Sequence, residues 1–312
     1  MSTTQQKFAA RRVAPALVLG FVLLGLGAST AQAQGKTTLR WKLNPGETLA
    51  YAMEQTTVTS GQDPTGREVK RTISLILDMT WTIKSVAPSG VATLTQTIDR
   101  VRIGVTTPGS KISADSKELG DGESLFGPIF KILVGAEFVS KMNPRGELSE
   151  IKLSDKLLAN LNASNDGGGP KGQFSEEGLK NMLTQMVTPL PEAGVTVGET
   201  WTRKLQIPTD VAGQTRGIEQ IFTYKGPETG TPNLDAIDFT AKMEPLKVDP
   251  SLALVYKKEE TSGRIDFNNA SGRIAKSNTS EIVEVSRTMQ GKELPQKVEI
   301  TRILTLSKDK SP

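Results

Sequence analysis

Thr72-Ile73-Ser74-Leu75-Ile76-Leu77-Asp78-Met79-Thr80-Trp81-Thr82-Ile83-Lys84-Ser85 is the stretch from which the fold class can be read. Ile73, Leu75, Leu77, Met79, Trp81 and Ile83 alternate with Thr72, Ser74, Asp78, Thr80, Thr82 and Lys84, and only Ile76 breaks the pattern. Period-two alternation of this length predicts a strand of roughly 45 Å with one buried and one wet face. Pro88-Ser89-Gly90 then turns the chain, and Val91 to Val105 returns as a second long strand, closing a hairpin. Within the return, the apolar residues change phase between Ile98 and Val101, which predicts a bulge near Asp99-Arg100 and hence a curved sheet.

Upstream, Leu39 to Leu43 and Thr48 to Thr59 read as strands separated by Asn44-Pro45-Gly46, and Gln62 to Gly66 supplies another turn. Downstream, Leu125 to Val134 is compact and apolar, and residues 154–186 hold helical pieces around a gap at 163–172. Leu157, Leu158 and Leu161 suit one helix face, and Ser175 reads as the N-cap of a helix carrying Leu179, Met182, Leu183 and Met186. Gly167 to Gly172 suits neither helix and reads as a linker. From Trp201 onward strand patterning resumes, at Gly217 to Tyr224, Ala236 to Met243, Glu260 to Phe267, Arg273 to Val285 and Lys297 to Ser307.

Two short motifs repeat. Pro45-Gly46-Glu47-Thr48 and Val197-Gly198-Glu199-Thr200 each open a strand, and Asn143-Pro144-Arg145-Gly146 and Asn268-Asn269-Ala270-Ser271-Gly272 each turn the chain toward an outgoing one. The offsets between the copies differ, so a duplicated half and a chance likeness of turns both remain open. The expected fold is mainly β: two related antiparallel curved sheets or half-barrels with a few short helices between them. The expected divisions are a signal peptide at 1–33, an N-terminal β half at 34–153, a helical segment with the glycine-rich linker at 154–190, and a C-terminal β half at 191–312.

The leader carries Lys7, Arg11 and Arg12, an apolar run from Val13 to Ala28, and small residues at Ala31-Gln32-Ala33. That order matches a secretory signal cleaved before Gln34, and the apolar core is short for a membrane span. Arg11-Arg12 lacks the flanking residues of a twin-arginine signal, so general secretion is expected. The leader holds three of the 38 basic residues and none of the 34 acidic ones, which leaves 35 against 34 after cleavage. A near-neutral chain of this kind offers no counterion-release drive toward nucleic acid. No second long apolar run follows Gln34, so no transmembrane helix is expected in the mature chain. Its address is expected to be periplasmic or extracellular, in soluble form.

The leader, the Gly46-Glu47 opening, the long meander, Val197-Gly198-Glu199-Thr200-Trp201 and the Ser271-Gly272-Arg273-Ile274 turn together resemble an uncharacterised domain-of-unknown-function family of exported bacterial proteins, frequent in planctomycetes. The resemblance implies a cell-envelope protein with no established activity, and it carries over no functional residue.

The chain contains neither His nor Cys. Without imidazole or thiolate, zinc hydrolysis of the common kinds, Ser-His-Asp catalysis and Cys-His catalysis are excluded, as are disulfides and an acylated N-terminal cysteine. Ser149-Glu150-Ile151-Lys152 and Ser307-Lys308-Asp309-Lys310 fit S-x-x-K, but the first lies in an expected strand and the second in the C-terminal tail. Asn162, Ser164, Asp166 and Gly167 resemble the start of a calcium loop whose closing Glu is replaced by Gln173. Lys171 lies in a glycine-rich run that lacks the ending of a phosphate loop. Asp235 with Asp238, and Glu259 with Glu260, are carboxylate pairs such as a glycosidase could use, and they read more simply as solvated surface. No catalytic, cofactor-binding or metal-binding residue is assigned, and no cofactor is expected.

The stripe from Ile73 to Ile83 either fills a core or lines a hydrophobic cavity, with Glu177 to Met186 as its cover or its lid. The expected function is that of an exported, non-enzymatic envelope or binding protein that holds a lipid or another hydrophobic ligand. A carboxylate-dependent hydrolase and a structural envelope component are the alternatives.

Overall fold

β-Branched and alternating sequence builds one antiparallel sheet of twelve strands, with three short helices, among the described residues. The computed structural model describes residues 35–118, 125–165, 175–208, 215–244, 254–289 and 292–307. The leader, the 167–172 linker, Asp166 of the calcium-like run and Lys308 to Lys310 lie outside them. In chain order the elements are β1 (Thr48–Gln62), β2 (Glu68–Val86), β3 (Ala92–Thr107), β4 (Ser110–Asp115), α1 (Gly127–Leu133), β5 (Glu137–Met142), β6 (Leu148–Leu153), α2 (Asp155–Asn165) and α3 (Glu176–Met186). There follow β7 (Thr200–Pro208), β8 (Thr215–Pro227), β9 (Leu234–Met243), β10 (Leu254–Asn268), β11 (Arg273–Met289) and β12 (Lys292–Leu306).

The strands lie side by side in the order β6-β5-β3-β2-β1-β12-β11-β10-β9-β8-β7, with β4 beside β3. The expected halves are therefore the two flanks of a single open sheet, joined where β1 pairs with β12 from Tyr51↔Leu306 to Gly61↔Gln296. The phase change in β3 is a bulge: Asp78 faces Arg100 and Met79 faces Ile98, which leaves Asp99 as the extra residue. Ser175 caps α3 by accepting a hydrogen bond from Gly178 N at 3.0 Å, and Glu176 and Glu177 occupy the first turn, where the helix dipole favours them.

The strand expected at Leu39 to Leu43 is absent. This segment instead crosses the inner side of the sheet, bridged to Val195 at Thr37, and its backbone bonds reach turns from both flanks. Trp41 N donates to Pro144 O at 2.8 Å and Lys42 N to Gly272 O at 3.0 Å. Leu39 and Trp41 are buried in the core, and the backbone of this segment satisfies its polar groups on those turns without a neighbouring strand.

The two turn motifs share their local bonding. Gly46 and Gly198 have φ of 81° and 89°, and Glu47 and Glu199 carboxylates accept from Asn44 N and Thr196 N at 3.1 and 2.8 Å. Gly46 N donates to Ile83 O, and Gly198 N donates to Tyr224 O. The second pair of turns also has positive φ, at Gly146 and Gly272, and both abut the Trp41-Lys42 dipeptide.

The Trp41 ring lies 6.2 Å from Trp81 on β2 and 6.1 Å from Phe267 on β10. In a flat sheet those strands stand four spacings apart, roughly 19 Å, so their meeting at one indole requires the sheet to curl around it. Leu49, Tyr51, Leu77, Met79, Ile83, Leu94, Ile237 and Ile274 fill the enclosed space, with Leu133, Leu157, Leu179 and Leu183 from the helices. α3 touches both edge strands, β6 and β7, and so lies across the seam that the sheet leaves open.

Candidate functional site

Directly opposed residues of an antiparallel pair share a face, so the registers trace rows across the inner side of the sheet. One row runs Val101, Leu77, Met53 and Leu304, and all four are buried. The next runs Ile103, Leu75, Gln55, Arg302 and Thr279. The one beyond runs Ile112, Val105, Ile73, Thr57, Ile300 and Glu281. Val298 and Val283 face each other in the following row, beside Thr59 and Arg71.

The stripe on β2 thus divides. Leu77, Met79, Trp81 and Ile83 are packing core, at most 2% exposed. Leu75 and Ile73 continue the same face but are only half-buried, as are Ile103, Val105, Val283, Val298 and Ile300. Ile112 is 44% exposed. The result is an apolar patch on β4, β3 and β2 that is continuous with the core and partly open to solvent, and that resumes at Ile300, Val298 and Val283 of β12 and β11 beyond Gln55, Thr57 and Thr59 of β1.

Polar groups interrupt and border the patch. Arg302 Nε donates to Gln55 Oε1 at 2.8 Å, and its Nη1 lies 3.3 Å from Glu281 Oε2. Further across the sheet, Arg216 makes a forked ion pair with Glu259, one arm at 2.7 Å, and its guanidinium lies over the Tyr256 ring. Arg203 Nε donates to Gln220 Oε1 at 2.8 Å, and its Nη1 donates to the Thr184 and Val187 carbonyls at the end of α3. Burial lowers the Arg203 pKa to about 10, with Glu147 opposing that shift.

A cleft of about 870 Å³ at the far end of the long strands has a different character. Lys70, Lys257 and Lys297 line it together with Glu68, Glu284 and Glu293, so its charges balance. Lys257 lies 3.2 Å from Glu293, whose pKa is lowered by the neighbouring Ser286 hydroxyl and the Lys257 ammonium. Most of its lining side chains alternate with those of the inner face.

The residues singled out from sequence do not assemble. Ser149 and Lys152 lie in strand β6 opposite Lys141 and Val139, and a bulge between those pairs, where Glu150 has φ of 50°, puts both on the exposed face of the sheet rather than in a cleft. Asp235 is buried and accepts from Tyr224 Oη at 2.6 Å, whereas Asp238 sits on the other face within reach of Arg264 and Lys225. Glu259 pairs with Arg216 and Glu260 with Lys258, again on opposite faces. Leu179, Leu183 and Met186 of α3 are buried in the core, so this helix covers the seam. Among the described residues no group of three or more acidic side chains could hold a metal ion, and no helix is long and apolar enough to cross a membrane. Sequence reasoning missed Gln55, Glu281 and Arg302, because only strand pairing brings them together.

The fold is similar to that of lipovitellin in a structure of its lipid–protein interactions, with a TM-score of 0.50 at 14% identity over 87% of this chain. The chain spans 26% of lipovitellin's length. Two further structures overlap less well. DynF of the dynemicin biosynthesis pathway of Micromonospora chersina has a TM-score of 0.23 at 8% identity, over 89% of this chain and 92% of its own. An outer membrane channel from Pseudomonas putida F1 has a TM-score of 0.25 at 12% identity, over 86% and 97%. No curated protein matches the sequence. Residues 89–225, from the β2–β3 turn to β8, match a family of unknown function (DUF6263), in keeping with the expected resemblance to an uncharacterised family.

Proposed function

We propose that this chain is an exported, non-enzymatic binding protein that holds a hydrophobic ligand against the open part of its inner face. One observation carries the reading. The apolar stripe of β2 runs past the end of its own protein cover, from buried Leu77 to half-exposed Leu75 and Ile73, with Ile103, Val105, Val298 and Ile300 alongside. Apolar surface left in water forgoes about 25 cal/mol per Å², and a ligand laid over it recovers that term. The neighbouring charges Arg302 and Glu281, and Arg216 and Glu259, are spent on each other, which leaves the patch a place for hydrocarbon. The likeness to lipovitellin adds a fold in which lipid–protein interactions are described. The leader from Lys7 to Ala33 supports export to the periplasm or the exterior.

The test is organic extraction of the protein purified from its native host, followed by mass spectrometry. A stoichiometric lipid is expected, and Ile73→Asp should abolish it. Thr72→Asp, on the opposite face of the same strand, should not. Protein that yields no lipid in any preparation would overturn the proposal.

A further inference from the structure

The geometry points to a single-chain amphiphile with an anionic head as the ligand, its carboxylate or phosphate paired with Arg71. This inference rests on the inner-face reading above and adds the chemistry of the head. Arg71 lies on the same face of β2 as Ile73 and Leu75, opposite Thr59. It is exposed, and its side chain makes no ion pair or hydrogen bond with the described residues. Three other arginines of the inner face are committed, Arg302 to Gln55 and Glu281, Arg216 to Glu259, and Arg203 to Gln220 and two carbonyls, whereas Arg287 stands six residues along β11 from Glu281, about 20 Å from the row of Ile73 and Ile300.

The row beside Arg71, from Ile112 on β4 through Val105, Ile73 and Thr57 to Ile300 on β12, is apolar except at Thr57 and crosses four strand spacings, roughly 19 Å, which is the scale of one extended acyl chain. Arg71 stands two residues from Ile73 along β2, about 7 Å, so a head at Arg71 and a chain on this row are within one molecule's reach. An anion placed there keeps part of its hydration. Placed deeper, beside the Arg302–Glu281 pair, it would lose that hydration and meet a cation already neutralised.

The experiment is displacement of Nile red, an uncharged apolar dye, from the purified chain by palmitate, hexadecyl phosphate and 1-hexadecanol, which share one chain length. Palmitate, hexadecyl phosphate or both should bind about fivefold more tightly than the alcohol, the upper range for an exposed ion pair. Arg71→Gln should remove that preference and leave the alcohol's affinity and the melting temperature unchanged, because the side chain has no partner to lose. Raising the salt should narrow the gap in the wild type. Selectivity for one of the two anions would identify the head. Equal affinity of alcohol and anions, or an anion preference that survives Arg71→Gln, would overturn the inference while the inner-face reading stands. If neither Nile red nor any of the three amphiphiles binds, that reading falls and this one with it.

Discussion

Replacing Trp41 with alanine tests whether one residue outside the strands holds the curl of the sheet. Its ring is 5% exposed and lies against Trp81 at 6.2 Å and Phe267 at 6.1 Å, residues from opposite flanks. Removing a large buried aromatic costs about 3–5 kcal/mol, and each aromatic pair adds about 1 kcal/mol beyond area. Against this, Trp41 Nε1–H meets no protein acceptor, and deleting a buried donor of that kind returns about 1–3 kcal/mol. The net expectation is a loss of about 3–4 kcal/mol, seen as a fall of roughly 10 °C in Tm for a domain of this size. Thermal and urea unfolding followed by circular dichroism measures it. Gly146 supplies the cross-check: a methyl there would stand 2.5 Å from Trp41 Nε1, so Gly146→Ala should cost less in the Trp41→Ala background than alone, by at least about 0.5 kcal/mol. The gain stays partial, since Thr188 O lies 2.7 Å from the same methyl and φ is 81°. A loss below about 1 kcal/mol for Trp41→Ala, or strict additivity with Gly146→Ala, would refute the view that the two flanks close on this indole.

Three further outcomes are expected. The hydrogen bond from Arg100, opposed by desolvation, brings the Asp115 carboxyl from 3.8 down to about 2, so its hold on β4 is complete above its unfolded value and is lost as pH falls through about 2. NMR titration should place its midpoint there in the wild type and near the ordinary value in Arg100→Gln. Burial, reinforced by Asp235, raises the Tyr224 hydroxyl to about 12, and Tyr224→Phe should cost about 1.5–3 kcal/mol in urea unfolding by taking the hydroxyl from the buried Asp235 oxygen. Arg203→Leu removes the donor from the last carbonyls of α3, so hydrogen exchange should quicken in α3 and stay unchanged in β2.

Local signals in the sequence were sound wherever the determining physics is local. The alternation of Thr72 to Ser85, the phase change at Asp99 and the Ser175 cap each depend on residues within a few positions, and each is present as expected. Leu39 to Leu43 failed for the opposite reason. Its short apolar pattern suits a strand, but the partners that fix its path are the Pro144 and Gly272 carbonyls, far along the chain. β4 was missed because Ser110 to Asp115 is mostly polar, and what makes it a strand is an open edge on β3. The same limit hid the inner-face site. Ile73 announces an apolar face, but whether that face is covered depends on where the helices and Trp41 come to rest, and the meeting of Gln55, Glu281 and Arg302 depends on registers set by three strands.

The pairing of β1 with β12 governs how the molecule can be made. Gln55 and Arg302 are 247 residues apart in the chain, yet they meet in the middle of the sheet. Such distant closure is slow, since the entropy of the intervening loop must be spent before the contact rewards it. An emerging polypeptide would therefore hold β1 with one side unpaired until its last strand arrives, exposed to aggregation throughout. Truncation ahead of Lys292 should yield a sticky, chaperone-dependent species rather than a smaller working protein.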